Sequence, residues 1–399
     1  MRVFSLNYRL HLFNTIKHPF ILISLIAITT LALTFAPAAA QDQILRVCPS
    51  AEIEQRTAAF EPTGIILTAF DRTGIWVYEI DTRRRYPLPE TRPCDGNCNL
   101  SPDAQWLTYL NDATNAVNRM RLNGSQRSLV ATNASDVEWW SANTYLVWTP
   151  GHNAFLLSED GTTREYLPVN SVESIQPGGR WALRVEANSN DFERFLVNLG
   201  ADSQTALDEQ VSLGSEIDYF SAAAWSPNGG YLAYVSPLRD DNQVIIGSEI
   251  FGIHPEAAAP EQWTSLTDLY GAIRINGLSP GELSWSPDGS KIAFWVTGID
   301  AADPSRTLGG SVIHILDRAS GQISSYCGYS TIENTPNPPR LRWSPDSTHI
   351  AFAGNLPGDN QGYLLLALNV ETGIFTALSD GVYPALGQPN VVAWGLAPT

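Results

Sequence analysis

Basic residues are scarce in this chain: 24 Lys and Arg stand against 41 Asp and Glu, a formal net charge of −17 at pH 7. So acidic a surface repels phosphate backbones and anionic headgroups, which excludes nucleic acid as a partner. Histidine is sparse too, six in 399 residues, with no His-x-x-His pair. There are four cysteines and only one close pair among them, so the doubled spacing of a structural zinc site is missing. Long apolar runs are equally rare. The one that stands out lies near the N-terminus, Phe20 to Phe35.

That run carries an export signature. Arg2, Arg9 and Lys17 precede it, and Ala36-Pro37-Ala38-Ala39-Ala40 ends it. Ala38 and Ala40 take the small-residue positions of a cleavage site before Gln41. Residues 1–40 therefore read as a signal peptide. A retained N-terminal anchor is the alternative, because the run sits at the lower length limit of a membrane span. No cysteine closes the leader, which argues against a lipid anchor. Cleavage leaves 21 basic against 41 acidic residues, a net charge of −20, and no membrane span. The expected location is secreted or periplasmic.

What the chain has in quantity is one turn phrase. Trp225-Ser226-Pro227-Asn228-Gly229 precedes Tyr231-Leu232-Ala233-Tyr234. Trp285-Ser286-Pro287-Asp288-Gly289 precedes Ile292-Ala293-Phe294, and Trp343-Ser344-Pro345-Asp346 precedes Ile350-Ala351-Phe352. Pro presets φ at the second turn position, Asp or Asn bonds its own backbone, and Gly accepts a left-handed conformation. The phrase is thus a hairpin turn between two strands. Weaker copies stand at Ser101, Ser141 and Gln176, and a last trace at Val392-Ala393-Trp394-Gly395. The copies are spaced 35 to 60 residues apart. A four-stranded propeller blade takes roughly 40–50 residues, so each interval holds one blade, some with long loops.

The two ends complete the count. Ile65–Phe70 and Ile75–Ile80 read as second and third strands with no turn phrase before them, while Trp394 ends a first strand with nothing after it. Joined, they make a split blade that closes a ring. The fold is therefore read as all-β, a seven-bladed β-propeller of four-stranded antiparallel sheets, with six and eight as the neighbouring counts. Residues 41–60 form an N-terminal extension and 61–399 the propeller. Blades are numbered here from the Ser101 copy, so the split blade is the seventh.

These phrases resemble the TolB-like propellers, loosely related to WD-repeat propellers, over roughly residues 60–399. Only about twenty residues separate the leader from the first strand, so the extra N-terminal domain of TolB is not expected, and the envelope-assembly role of TolB does not carry over. Relatives of the fold include enzymes, and a metal-dependent hydrolase or lyase acting on a carbohydrate or lactone is the rival reading. Against it, His152, His254, His314 and His349 map to different parts of the blades and do not converge. No α/β-hydrolase domain follows the repeats, against an exported peptidase. The twelve Trp read as packing residues of the repeat.

An exported chain allows disulfides, and four cysteines allow three connectivities. Cys94-Asp95-Gly96-Asn97-Cys98 is a tight loop able to close on itself; Cys48 and Cys327 would then pair across the ring.

Binding residues are expected on the face that carries the loops between second and third strands. Those loops are long or polar in three consecutive blades. In blade 4 they offer Arg239, Asp240 and Asp241; in blade 5 (Thr297 to Gly310) Asp300, Asp303 and Arg306; in blade 6 Asp359 and Asn360. Ca²⁺ suits such oxygen-rich loops, but Asp240-Asp241-Asn242 lacks EF-hand spacing, and no cofactor is expected. The expected function is an exported, monomeric, non-catalytic scaffold that binds a protein or an envelope component.

Overall fold

The computed structural model describes residues 44–49, 53–70, 73–92, 98–111, 113–114, 116–151, 153–168, 172–189, 191–200, 210–216, 222–242, 244–276, 283–331, 338–355, 362–379 and 389–398. The leader, Cys94 and His152 lie outside them. Seven antiparallel sheets follow one another around a ring. In blade 1 the strands are Asn99–Leu100, Trp106–Asn111, Ala116–Arg121 and Ser128–Thr132. In blade 4 they are Ala223–Trp225, Leu232–Arg239, Ile245–Ile253 and Glu261–Gln262. In blade 7 Asn390–Gly395 pairs with Ile65–Phe70, which pairs with Thr73–Glu79 and then Arg85–Pro87. The ends of the propeller thus close the ring as the split blade requires.

The turn phrase folds as a clip. Ser226 Oγ donates to Asn228 Oδ1 (2.8 Å) and accepts the Tyr231 N–H (3.0 Å). Ser286 with Asp288, Ser344 with Asp346 and Ser101 with Asp103 repeat it at 2.5 Å. Each of these serines also accepts the N–H five residues on, at 2.9 Å. The position after the Asp or Asn is left-handed every time: Gly229 at φ 68°, Gly289 at 69°, Ser347 at 60° and Ala104 at 56°. The tryptophans link blades. Trp285 Nε1 donates to Ala224 O (3.1 Å) and Trp343 Nε1 to Ser284 O (2.9 Å), each reaching the first strand of the preceding blade.

The core is not central. Seven apolar clusters fill the seven blade-to-blade interfaces. Tyr234 and Leu196 meet between blades 3 and 4. Phe294 and Ile250 meet between blades 4 and 5. Trp295 and Phe352 meet between blades 5 and 6. Tyr109 and Val77 close the ring between blades 7 and 1. Burying one such side chain stabilises by about 1.5–3 kcal/mol, so each interface contributes through several of them.

Two features depart from the sequence reading. The N-terminal extension is built into the sheets: Leu45–Val47 pairs in parallel with Ile323–Thr331 outside blade 5, and Glu54–Gln55 with Phe375–Ala377 outside blade 6. These added strands cover backbone edges that would otherwise stand open. Consequently the Cys48–Cys327 disulfide, Cα–Cα 5.4 Å, joins neighbouring strands of one sheet instead of crossing the ring. Cys98 is disulfide-bonded as well.

Candidate functional site

Blade 4 contributes a short turn, Asp240 to Val244. Asp240 Oδ1 accepts the N–H groups of Asn242 and Val244, both at 2.9 Å. The Val244 bond first, then those from Asn242, hold this carboxyl below its usual range. The carboxylate therefore shapes its own turn. Asp241 and Asn242 are exposed beside it.

Blade 5 corrects the expectation of a long loop from Thr297 to Gly310. The strands run on instead, Lys291–Asp300 and Asp303–Asp317, to a two-residue tip. Thr297 and Ile299 are buried, and Thr297 Oγ1 shares a 2.5 Å hydrogen bond with Ser311 Oγ. The reason is an additional strand. Ile273–Ile275, contributed before the blade begins, pairs with Val296–Gly298 and supplies the missing hydrogen-bond edge. At the tip Asp300 Oδ1 accepts the Ala302 N–H (2.9 Å), and Arg306 Nη1 lies 3.5 Å from Asp300 Oδ2. Asp300, Asp303 and Arg306 are thus gathered on one arm. Asp359 and Asn360, the blade 6 candidates, lie outside the described residues.

Between blades 4 and 5 sits a helix, Leu266–Tyr270, absent from the sequence reading. Its first turn is held by Glu249, which is fully buried. Glu249 Oε2 accepts from Thr264 Oγ1 (2.5 Å) and the Leu266 N–H (2.9 Å), and Oε1 from the Thr267 N–H (2.6 Å) and Oγ1 (2.8 Å). Four donors and the partial positive charge of the helix start satisfy the carboxylate. Ser265-Leu266-Thr267-Asp268 has the spacing of a capping box with Asp in place of Glu, but Ser265 makes no side-chain cap hydrogen bond and Glu249 holds the helix start instead. At the other end Tyr270 OH meets His314 Nε2 at 3.0 Å, and His314 Nδ1 lies 3.1 Å from Val312 O. Burial pushes the imidazole down to about 4. It is neutral at pH 7, so Nδ1–H donates to Val312 O and Nε2 accepts from Tyr270.

The first strands of all seven blades line an axial cavity of ≈ 640 Å³. Trp225, Trp285, Trp343 and Trp394 face it, and Glu138 and Arg342 are the charged residues of its described wall. Both are engaged: Glu138 accepts from Trp148 Nε1 (2.6 Å), and Arg342 Nε donates to Val392 O (2.9 Å). His349 is buried near Phe60 and Trp394, and His254 packs on Tyr231. Among the described residues no group of three His, Cys, Asp or Glu is placed to hold a metal ion. Gly277-Leu278-Ser279-Pro280-Gly281 spells the Gly-x-Ser-x-Gly pattern of hydrolase nucleophiles. That pattern needs a helix after it. Here the pentapeptide, itself outside the described residues, leads into the strand Ser284–Trp285. Also among the described residues, no helix is long and apolar enough to cross a membrane.

No family profile and no curated protein matches the sequence. Solved structures do. TolB from Acinetobacter baumannii is 14 % identical with a TM-score of 0.41, covering 83 % of this chain and 82 % of that one. A puromycin hydrolase, crystallised as an S511A mutant complexed with PGG, is 14 % identical with a TM-score of 0.50. The match covers 86 % of this chain but only 58 % of that enzyme. The tricorn protease is 10 % identical, TM-score 0.48, over 83 % of this chain and 34 % of its own. Such identities speak to fold alone. With seven four-stranded blades, a repeated Trp-Ser-Pro-Asp/Asn clip and a split closing blade, the chain is in fold a seven-bladed β-propeller.

Proposed function

We propose that the chain is an exported, non-catalytic binding scaffold that engages a protein or envelope component through the blade 4–6 face. The observation that carries this reading is the blade 5 arm. Its strands extend to Asp300 and Asp303, and an added strand and a helix buttress it against blade 4. A stiff arm tipped with charge is costly to build and useful for display, because little order is lost on binding. The Cys48–Cys327 disulfide supports export, since such bonds persist outside the reducing cytosol.

The test is capture from the envelope and exported fractions on immobilised Gln41–Thr399. A triple variant, Asp300→Ala, Asp303→Ala and Arg306→Ala, serves as comparison. A partner retained by wild type and lost by the triple variant supports the face. A partner held equally by both refutes the choice of face, and turnover of a lactone or glycan by the purified chain refutes the scaffold.

A further inference from the structure

Five of the nine exposed large hydrophobic residues among those described sit on one stretch of the molecule: Val244, Ile246, Leu269, Tyr270 and Leu308. Exposed apolar side chains scattered singly need no explanation, but a cluster does. Their elements adjoin. The helix and the strand Ile273–Ile275 both lie beside the blade 4 strand Ile245–Ile253. A Cβ placed on Gly247 would meet Thr267 of the helix and Ile273 of the added strand. Ile273 pairs with Gly298, and Gly298 pairs on its other side with Leu308.

Three of them are exposed for a local reason. Leu238 pairs with Gly247 and Arg239 with Ile245, which leaves Ile246 as the extra residue of a bulge. Leu266 is the one buried residue of the helix, so Leu269 and Tyr270 remain outside. Tyr270 is not loose, because its hydroxyl is tied to His314. An aromatic side chain held by its polar end while part of it remains exposed is a preorganised contact. Charge surrounds the patch unevenly. Asp240, Asp241, Asp268, Asp300 and Asp303 stand against Arg239, Arg306 and the half-buried Arg274, and Arg306 already pairs with Asp300.

We infer that this blade 4–blade 5 margin docks a basic amphipathic protein segment, one that sets apolar side chains between lysines or arginines. The inference rests on the scaffold reading and names the chemistry of its partner. An apolar centre with a charged rim is the anatomy of a protein interface, and opposite charge gives the rim its selectivity. A second copy of this chain, with the same net charge of −17, is repelled, and so is an anionic membrane.

Three labelled peptides test it by fluorescence anisotropy on the full chain: one alternating leucine and lysine, one alternating leucine and glutamate, and oligolysine. The leucine–lysine peptide binds and the other two bind at least tenfold more weakly. A variant with Ile246→Ser, Leu269→Ser and Leu308→Ser keeps every charge and loses at least tenfold of that affinity. Leu269→Ser alone, checked for unchanged thermal unfolding, loses about threefold and guards against a misfolded triple variant. Equal binding of oligolysine, or full affinity in a folded serine variant, overturns the inference. The envelope capture separates the two levels: a partner lost in the Asp300/Asp303/Arg306 variant but kept by the serine variant sinks the apolar patch and leaves the scaffold standing.

Discussion

The buried histidine of blade 5 sets a pH dependence of stability that can be measured. His314 is 2 % exposed, stacked near Phe294 at 6.0 Å and bonded to Tyr270 and Val312 O. Burial pushes its pKa to about 4, against 6.5 for a free imidazole. Above pH 6.5 both the folded and the unfolded chain hold it neutral. Between 6.5 and about 4 only the unfolded chain takes up the proton, so stability falls as pH falls. Below about 4 both forms are protonated and the loss levels off. The difference of two to three pKa units corresponds to about 3 kcal/mol. His349 is shifted down by burial too and adds a contribution of the same sign. The turn aspartates act elsewhere on the scale. Asp288 and Asp346 are held below their usual value despite partial burial, by the serine and the following backbone and side-chain donors, so their contribution goes only below the ordinary carboxylate range.

The assay is urea unfolding at several pH values from 7 to 4, on the wild type and on His314→Gln. The amide oxygen of Gln keeps an acceptor for Tyr270 and does not titrate. Whatever the substitution costs at pH 7, its stability curve should be flatter than that of the wild type by about 3 kcal/mol across the window. Parallel curves between pH 6.5 and 4 would refute the buried neutral imidazole, and with it the hydrogen-bond chain from Tyr270 to Val312.

Other perturbations separate local causes. Gly289→Ala meets only Pro227 Cδ at 3.9 Å and should cost about 1 kcal/mol for its left-handed φ, whereas Gly229→Ala would put a Cβ 2.3 Å from Pro177 O and should cost about 3 kcal/mol; paired thermal unfolding decides. Glu249→Ala strands two buried and two half-buried donors and should cost about 3 kcal/mol in urea unfolding, with Glu249→Gln recovering part of it. Reduction of Cys48–Cys327, or Cys48→Ser with Cys327→Ser, should cost about 2–5 kcal/mol. The same change should open residues 44–60 to protease before the blades, read by mass spectrometry of the first cut.

The blades were legible because their turns repeat a chemical solution. Ser, Pro and Asp at fixed spacing make sense only if the serine closes the turn, and Ser101, Ser226, Ser286 and Ser344 all do. Where the serine is replaced, as at Gln176, the side-chain oxygen still accepts the N–H five residues on, at 3.2 Å, but the copy is faint to the eye. Structure that depends on distant partners left no such mark. Leu45–Val47 and Glu54–Gln55 are too short to show a strand period and exist because blade edges await them. Gly298, Gly309 and Gly310 make the blade 5 arm look like a loop, and the pairing of its two strands with each other and with Ile273–Ile275 shows otherwise.

The same asymmetry governs the site. Polar residues in a turn attract notice in a sequence, yet they are the ones the turn itself uses. Asp288 and Asp346 bond their own hairpins, and so does Asp240 on the opposite face. A carboxylate already accepting two backbone N–H groups has less left for a partner, and moving it would undo the turn that presents it. The groups without such a duty are apolar: Leu269 on a helix that buries one residue, Ile246 on a bulge, Leu308 beside a glycine. Each looks unremarkable in sequence, because its exposure is decided by a register shift or by a helix capped from a strand away. Charge then acts as rim and steering while apolar area supplies the hold, which is why exchanging leucine for serine at constant charge is the more searching test of this face than removing its aspartates.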